Sequence, residues 1–216
     1  MLKAQIVPVT NFEQNCSIIW CDETNEGALV DPGGDADKIL EKVTELGIDL
    51  KKILLTHGHL DHAGGSQDIT EKLNIPIIGP HEGDEFWLDG IESQAAQYGM
   101  SGLRCCKPDQ WLNDGEVVEL GNLKLDVIHC PGHTPGHVVF HEKESNVAFV
   151  GDVLFKGSIG RTDFPQGNHQ DLLDSITGKL WPLGPDVTFV PGHGPLSTFG
   201  AERHNNQFVA DAILGL

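Results

Sequence analysis

The sequence predicts an α+β chain folded as an αββα sandwich, with two mixed β-sheets packed face to face and helices outside. Three observations predict it. Patterned segments run as β-rich stretches, a helix, a strand and a helix, and the same succession then repeats. The β-rich stretches are short and punctuated at hairpin spacing, which calls for antiparallel neighbours. No Pro-, Ser- or charge-rich linker interrupts the chain, so residues 1–216 read as one domain.

The elements follow in order. AQIVPV, CSIIWC and GALVDPGG are β-rich, and the intervening CDETNE is turn-like. DADKILEKVTELG places Ile39, Leu40, Val43 and Leu46 at helical spacing, with Asp35 as a cap and Gly47 as a stop. KKILLT reads as a buried strand and GGSQDITEKLN as a helix, so LLTHGHLDHAGG lies in a strand-to-helix loop. Beyond PIIG, the stretch 81–108 predicts short helices around DEFWL and ESQAAQYG over one edge. Strand signals return in GEVVELG, LKLDVIHC, HVVFHE and NVAFVGD. NHQDLLDSITGKLW predicts an amphipathic helix, DVTFVPGHG a strand and loop, and AERHNNQFVADAIL a final helix.

Charge narrows the partners. Against 14 Lys and Arg stand 32 Asp and Glu, a net charge of −18 at pH 7. Such a field repels nucleic acid and anionic membrane, and favours a small-molecule partner. MLKAQIVPVT has no basic region before an apolar core, and no apolar run nears the ~18 residues that span a bilayer, so a cytoplasmic protein is expected. Cys16, Cys21, Cys105, Cys106 and Cys130 show no CxxC spacing and read as reduced thiols. A monomer or weak homodimer is expected.

The chemistry concentrates in THGHLDHAGG. On an extended chain, residues two apart point the same way with Cα atoms ~6.6 Å apart, so His57 and His59 can converge on one ion. Asp61 and His62 fall where the chain turns into the next helix and can face a second centre. Gly58, Gly64 and Gly65 permit the tight path. One loop cannot close two coordination shells. His133 in HCPGHTPGH, Asp152 in FVGDVLF and His193 in FVPGHGP each follow an apolar run and are candidates for the missing donors. A lone histidine is more often a surface or packed residue than a ligand; the joint pattern is what carries the reading.

THGHLDHAGG, PGHTPGH, GDVLF and PGHG, in this order, resemble the metallo-β-lactamase superfamily, and within it the short bacterial type of glyoxalase II (hydroxyacylglutathione hydrolase). The resemblance runs from about Ile6 to about Glu202. It implies the αββα sandwich with the site at one edge. It implies two divalent metal ions, zinc foremost with iron or manganese as alternatives: His57, His59 and His133 on the first, Asp61, His62 and His193 on the second, Asp152 bridging. Asp152 stands where β-lactam-hydrolysing members tend to carry cysteine, which disfavours lactam hydrolysis.

The resemblance further implies cleavage of S-D-lactoylglutathione to D-lactate and glutathione by metal-activated hydroxide, with Asp61 also orienting the nucleophile. Arg161 in GSIGRTDF matches the position of a basic residue that contacts glutathione, and Lys156 is the second local cation. The long glyoxalase II enzymes add a C-terminal helical region to that site, which this chain is expected to lack. GRTDF also resembles a segment of the persulfide dioxygenases, which use one iron and O₂ to oxidise glutathione persulfide; that is the alternative reading. A tRNase Z-like role is disfavoured by the acidic charge.

Of the remaining histidines, His137 is the candidate to support a ligand from behind, although a plain structural role is the simpler reading. His129 and His141 fall on strands and are expected to point outward; His81, His169 and His204 are expected at the surface. Trp87, Trp111 and Trp181 read as core or edge packing, and Pro131, Pro135 and Pro191 as stiffeners of the ligand loops.

Overall fold

The computed structural model of the chain describes residues 1–215; Leu216, the last residue of the expected domain, lies outside the described residues. The first sheet comprises β1 (Leu2–Val9), β2 (Gln14–Cys21), β3 (Glu26–Val30), β4 (Asp49–Leu54) and β5 (Ile77–Ile78), in that order. Its first three strands pair antiparallel, and β3 to β5 pair parallel. The second sheet is built from β6 (Val117–Leu120), β7 (Leu123–His129), β8 (Val138–Glu142) and β9 (Val147–Gly151). A small hairpin of β10 (Leu154–Phe155) and β11 (Ser158–Ile159) follows. Then β12 (Thr188–Pro191) and β13 (Ser197–Thr198) return to the second sheet, ordered β13-β12-β9-β8-β7-β6.

Side-chain alternation explains the layers. Successive strand residues point to opposite faces, and here both faces are apolar. Ile19, Val30 and Leu54 meet Leu125, Val127, Phe140 and Phe149 between the sheets. Their neighbours Ile18, Leu29 and Ile53 turn outward, where Ile39 and Val43 of α1 (Ala36–Leu46), Ile69 of α3 (Ser66–Leu73) and Ile91 of α5 (Ile91–Gln97) cover them. The one-turn α2 (Leu60–Ala63) precedes α3, and α4 (Glu85–Asp89) precedes α5. Val139, Ala148 and Phe189 of the second sheet are covered by Leu172 of α6 (His169–Ser175), by Ile176 and Trp181, and by Phe199 of α7 (Phe199–Asn205). Each fully buried Leu, Ile or Phe contributes about 1.5–3 kcal/mol, enough to hold both helical layers on their sheets. The αββα sandwich expected from the element order is therefore what the apolar pattern builds.

Three details differ from the expectations. Asp35 does not cap α1 through its side chain; it sits at φ 49°, and its carboxylate instead accepts the Thr10 N–H at 2.8 Å. Gly47, at φ 65°, does stop that helix. The last helix is two pieces, α7 and α8 (Asp211–Leu214). Asn206 breaks it: its buried amide donates to Ser158 O at 3.0 Å and Glu202 Oε2 at 2.9 Å, while its Oδ1 accepts the Phe208 N–H. α6 runs on through a π turn at Ile176–Leu180 into a 3₁₀ turn at Trp181–Leu183.

The C-terminal ends of β4, β9 and β12 open on the same edge. There Asn15 N–H donates to Gly192 O at 2.7 Å, and a bridge between Gln14 and His193 ties the two sheets together.

Candidate metal centre

The loops after these strands carry the donors. β4 runs through Leu55 and Thr56 into His57; His59 precedes α2, so Asp61 and His62 ride on that turn of helix. His133 lies in the β7–β8 loop, Asp152 directly after β9, and His193 after β12. Two glycines allow the close packing. A Cβ at Gly33 would stand 1.5 Å from Asp61 O, so only glycine lets the chain after β3 pass under α2. Gly132, at φ 135°, would place a Cβ 2.3 Å from Leu172 N on α6.

The donors converge in two sets. His57 Nε2 and His133 Nε2 each lie 3.0 Å from His59 Nδ1. Asp61 Oδ2 lies 3.1 Å from His193 Nε2 and 3.9 Å from His62 Nε2. Asp152 stands between the sets: Oδ1 is 3.3 Å from His62 Nε2, and Oδ2 is 3.6 Å from His133 Nε2 and 3.8 Å from His193 Nε2. Donors on one tetrahedral ion at ~2.0–2.1 Å lie ~3.3–3.4 Å apart, so both sets have the right span. All the donors picked from the sequence are thus brought together.

The outer nitrogens show what the inner ones are free to do. His57 Nδ1 donates to Thr56 Oγ1 at 3.1 Å, His62 Nδ1 to Asp31 Oδ2 at 2.9 Å, His133 Nδ1 to Arg161 O at 2.7 Å and His193 Nδ1 to Phe12 O at 3.1 Å. These bonds put a hydrogen on each Nδ1 and aim each Nε2 inward. His62 Nε2 and Asp152 Oδ1 are buried with no hydrogen-bond partner among the described residues. Converging, unpartnered imidazole and carboxylate donors fit divalent ions such as zinc, iron or manganese.

Electrostatics separates the sets. Burial, reinforced by His62 and His137, holds His57 well below the usual imidazole range; burial and His133 bring His59 down to about 3, and burial also lowers His133. Burial alone would lower His62 as well, but the Asp152 and Asp61 carboxylates raise it well above the usual range. His193 is raised too, because its bond to Asp61 and the charge of Asp152 outweigh its burial. Burial pushes the Asp152 carboxyl up, but the charge of His62 close by, with those of His133 and His193, outweighs it and holds the carboxyl below the usual carboxylate range.

One group beside the donors escaped the sequence reading. Asp31, at the end of β3, accepts Thr56 N–H at 2.7 Å and Thr56 Oγ1–H at 2.6 Å besides His62. It lies within ligand distance of His57 and His62, but with its oxygens so occupied it holds donors rather than an ion. Its position directly after an apolar run, like that of Asp152, was the available signal. His137 supports Asp152 from behind: its Nε2 accepts the Asp152 N–H at 3.1 Å, and its ring stacks on His57 at 4.7 Å. His141 is buried rather than outward, because both faces of β8 are covered. His81 and His129 are half-buried and stack on each other at 4.4 Å, while His169 and His204 are exposed as expected.

A cleft of about 880 Å³ opens over the donors, walled by Phe12, Trp87, Tyr98, Phe155 and Phe164. Trp87 is therefore both packed and a wall, with its ring edge-on to His59 at 4.4 Å. Trp181 packs in the core beneath α6, and Trp111 packs at its margin. Arg161 and Lys156 both reach this cleft and are exposed. Arg161 is engaged by Asp163 through Nε at 2.9 Å and Nη2 at 2.8 Å, and lies 4.5 Å over the Phe164 ring.

An αββα sandwich with His and Asp donors converging in two sets at one sheet edge defines a class of metal-dependent proteins. The chain belongs to the metallo-beta-lactamase superfamily, whose family model matches residues 9–193. It is 44% identical over 209 residues to the hydroxyacylglutathione hydrolase GloC of Haemophilus influenzae, covering 96% of this chain and 98% of that protein. Among solved structures, the BLEG-1 B3 metallo-beta-lactamase superposes with a TM-score of 0.87 at 34% identity, covering 97% of this chain and 99% of that one. TTHA1623, in a di-iron-bound form, gives 0.87 at 33% identity, covering 94% and 99%. ETHE1 from Myxococcus xanthus gives 0.81 at 25% identity, covering 96% and 84%.

Proposed function

We propose that this protein is a metal-dependent hydrolase of glutathione thioesters that converts S-D-lactoylglutathione and water to D-lactate and glutathione. The observation that carries the reading is the joint placement of two donor sets with Asp152 between them. The identity with GloC supports the substrate class. His57, His59 and His133 would hold one divalent ion, Asp61, His62 and His193 a second, and Asp152 both. Zinc is the first choice; iron and manganese suit the same donors, and the di-iron form of TTHA1623 supports iron. Bound ions supply Lewis acidity and bring the pKa of a water towards ~7.

The chain does the rest. Asp61 lines the cleft and accepts a hydrogen bond that orients the attacking water. Water adds to the acyl carbon, the C–S bond breaks, and the thiolate departs as glutathione. Arg161 and Lys156 at the cleft rim attract the carboxylates of the glutathione portion, although Asp163 offsets part of the Arg161 charge. Trp87 and Phe164 shield the His59 side of the cleft from bulk water.

A second reading, iron-dependent oxidation of glutathione persulfide, is favoured by one feature. The GRTDF segment lies against the first donor set, its Arg161 carbonyl holding His133, and the chain is similar to ETHE1. Protein loaded separately with zinc and with iron is assayed for thiol release from S-D-lactoylglutathione, for O₂ uptake with glutathione persulfide, and for β-lactam opening. Thiol release as the dominant activity is expected. O₂ uptake or lactam opening without thiol release overturns the proposal.

A further inference from the structure

We propose that Asp84 is a positioning residue that sets His59 and His133 against each other by clamping the two loops that carry them. It lies outside the donor motifs, at the end of the 3₁₀ turn Glu82–Asp84, and is wholly buried. Its Oδ2 accepts the Gly58 N–H at 2.8 Å and the Thr134 Oγ1–H at 2.8 Å, and its Oδ1 accepts the Gly136 N–H at 2.6 Å. Gly58 separates His57 from His59; Thr134 and Gly136 form the turn after His133. One carboxylate therefore joins loops that are far apart in the chain.

The clamp is tight and one-sided. A Cβ at Gly136 would lie 2.7 Å from Asp84 Cγ, and one at Gly58 would lie 3.2 Å from Asp84 Cβ, so both loops rest directly on this turn. His81 N–H adds a bond to Gly136 O at 3.0 Å, and Trp87 seats its ring on His59. All three partners of the carboxylate are uncharged, so the chain keeps an anion in its interior with hydrogen bonds alone. A buried carboxylate is costly to keep without a cation, and what this one gains is the fixed geometry of two ligand loops. The second donor set has separate supports: Asp31 for His62 and the Phe12 carbonyl for His193. Asp84 thus acts on the first set alone.

This inference rests on the metal reading of the site, and its test separates the two. Chelator-stripped wild type and Asp84→Asn are titrated with zinc alone by calorimetry. Imidazole ¹⁵N resonances of His57, His59 and His133 report filling of the first set, and those of His62 and His193 the second. In Asp84→Asn an amide N–H₂ replaces one acceptor and confronts a donor. First-set affinity is expected to fall about 10–100-fold, with the second set within about twofold of wild type. Thr134→Val, which removes a single bond, is expected to give a smaller loss at the first set and serves if Asp84→Asn does not fold. Unchanged first-set affinity in a folded variant, or equal weakening of both sets, overturns the role of Asp84. Wild type that takes up no zinc overturns the metal reading as well.

Discussion

At the residue scale, the same imidazole serves two chemistries according to its neighbours. His57, His59 and His133 sit among other imidazoles and are pushed towards the neutral form by burial, whereas Asp61 and Asp152 raise the pKa of His62 and His193 against their burial. A raised pKa means that metal must displace a proton. Zinc uptake at pH 7 is therefore expected to release protons when the second set fills and few when the first fills, and lowering the pH from 7 to 6 weakens the second set more. Calorimetry in buffers of different ionisation enthalpy checks this. His133→Ala and Asp61→Ala are each expected to abolish thioester cleavage while leaving the circular dichroism spectrum unchanged; wild-type-like turnover in metal-defined buffer would remove the residue from the site. Arg161 is paired with Asp163, so the two substitutions should act oppositely. Arg161→Ala is expected to raise KM several-fold with little change in kcat, and Asp163→Asn to lower KM; steady-state kinetics read both.

At the element scale, strands supply position and loops supply chemistry. Asp152 and His193 follow β9 and β12, parallel neighbours in one sheet, so the pairing Phe189–Ala148 and Val190–Phe149 brings their side chains to one level. The β7–β8 loop reaches the same edge only because Gly132 adopts φ 135° against α6. Gly132→Ala is expected to destabilise the protein by about 1–3 kcal/mol in urea melts and to weaken the first donor set, since His133 is the next residue. The donor motifs were legible because each places a histidine or aspartate directly after an apolar run. In the stretch 81–108 the expected short helices form as α4 and α5, but the turn before them was not legible: it gains meaning only from Gly58, Thr134 and Gly136, none of which is its neighbour in the chain. Asn206 likewise breaks a helix that its periodicity would continue, through bonds to Ser158 and Glu202.

At the scale of the whole molecule, the two sheets are joined at the functional edge by the donors themselves and by the Asn15–Gly192 and Gln14–His193 links. Ions held there would cross-link loops of both sheets. Chelation is expected to lower the melting temperature by about 5–10 °C, the equivalent of about 2.7 kcal/mol for one site at a hundredfold excess over Kd; differential scanning fluorimetry with and without zinc measures it. No helix among the described residues is long and apolar enough to cross a membrane.

The sequence by itself determined the sandwich, because alternating apolar strands need a cover on both faces. It also determined the donor types, because four candidate donor side chains within THGHLDHAGG are a local property. Only the tertiary structure decided which distant groups hold those donors: Asp31 behind His62, the Arg161 carbonyl behind His133, Asp84 between two loops. The physical reason is range. Periodicity and motif spacing are written along the chain, whereas a hydrogen bond across two sheets depends on where remote backbone comes to rest, and no neighbouring residue records that.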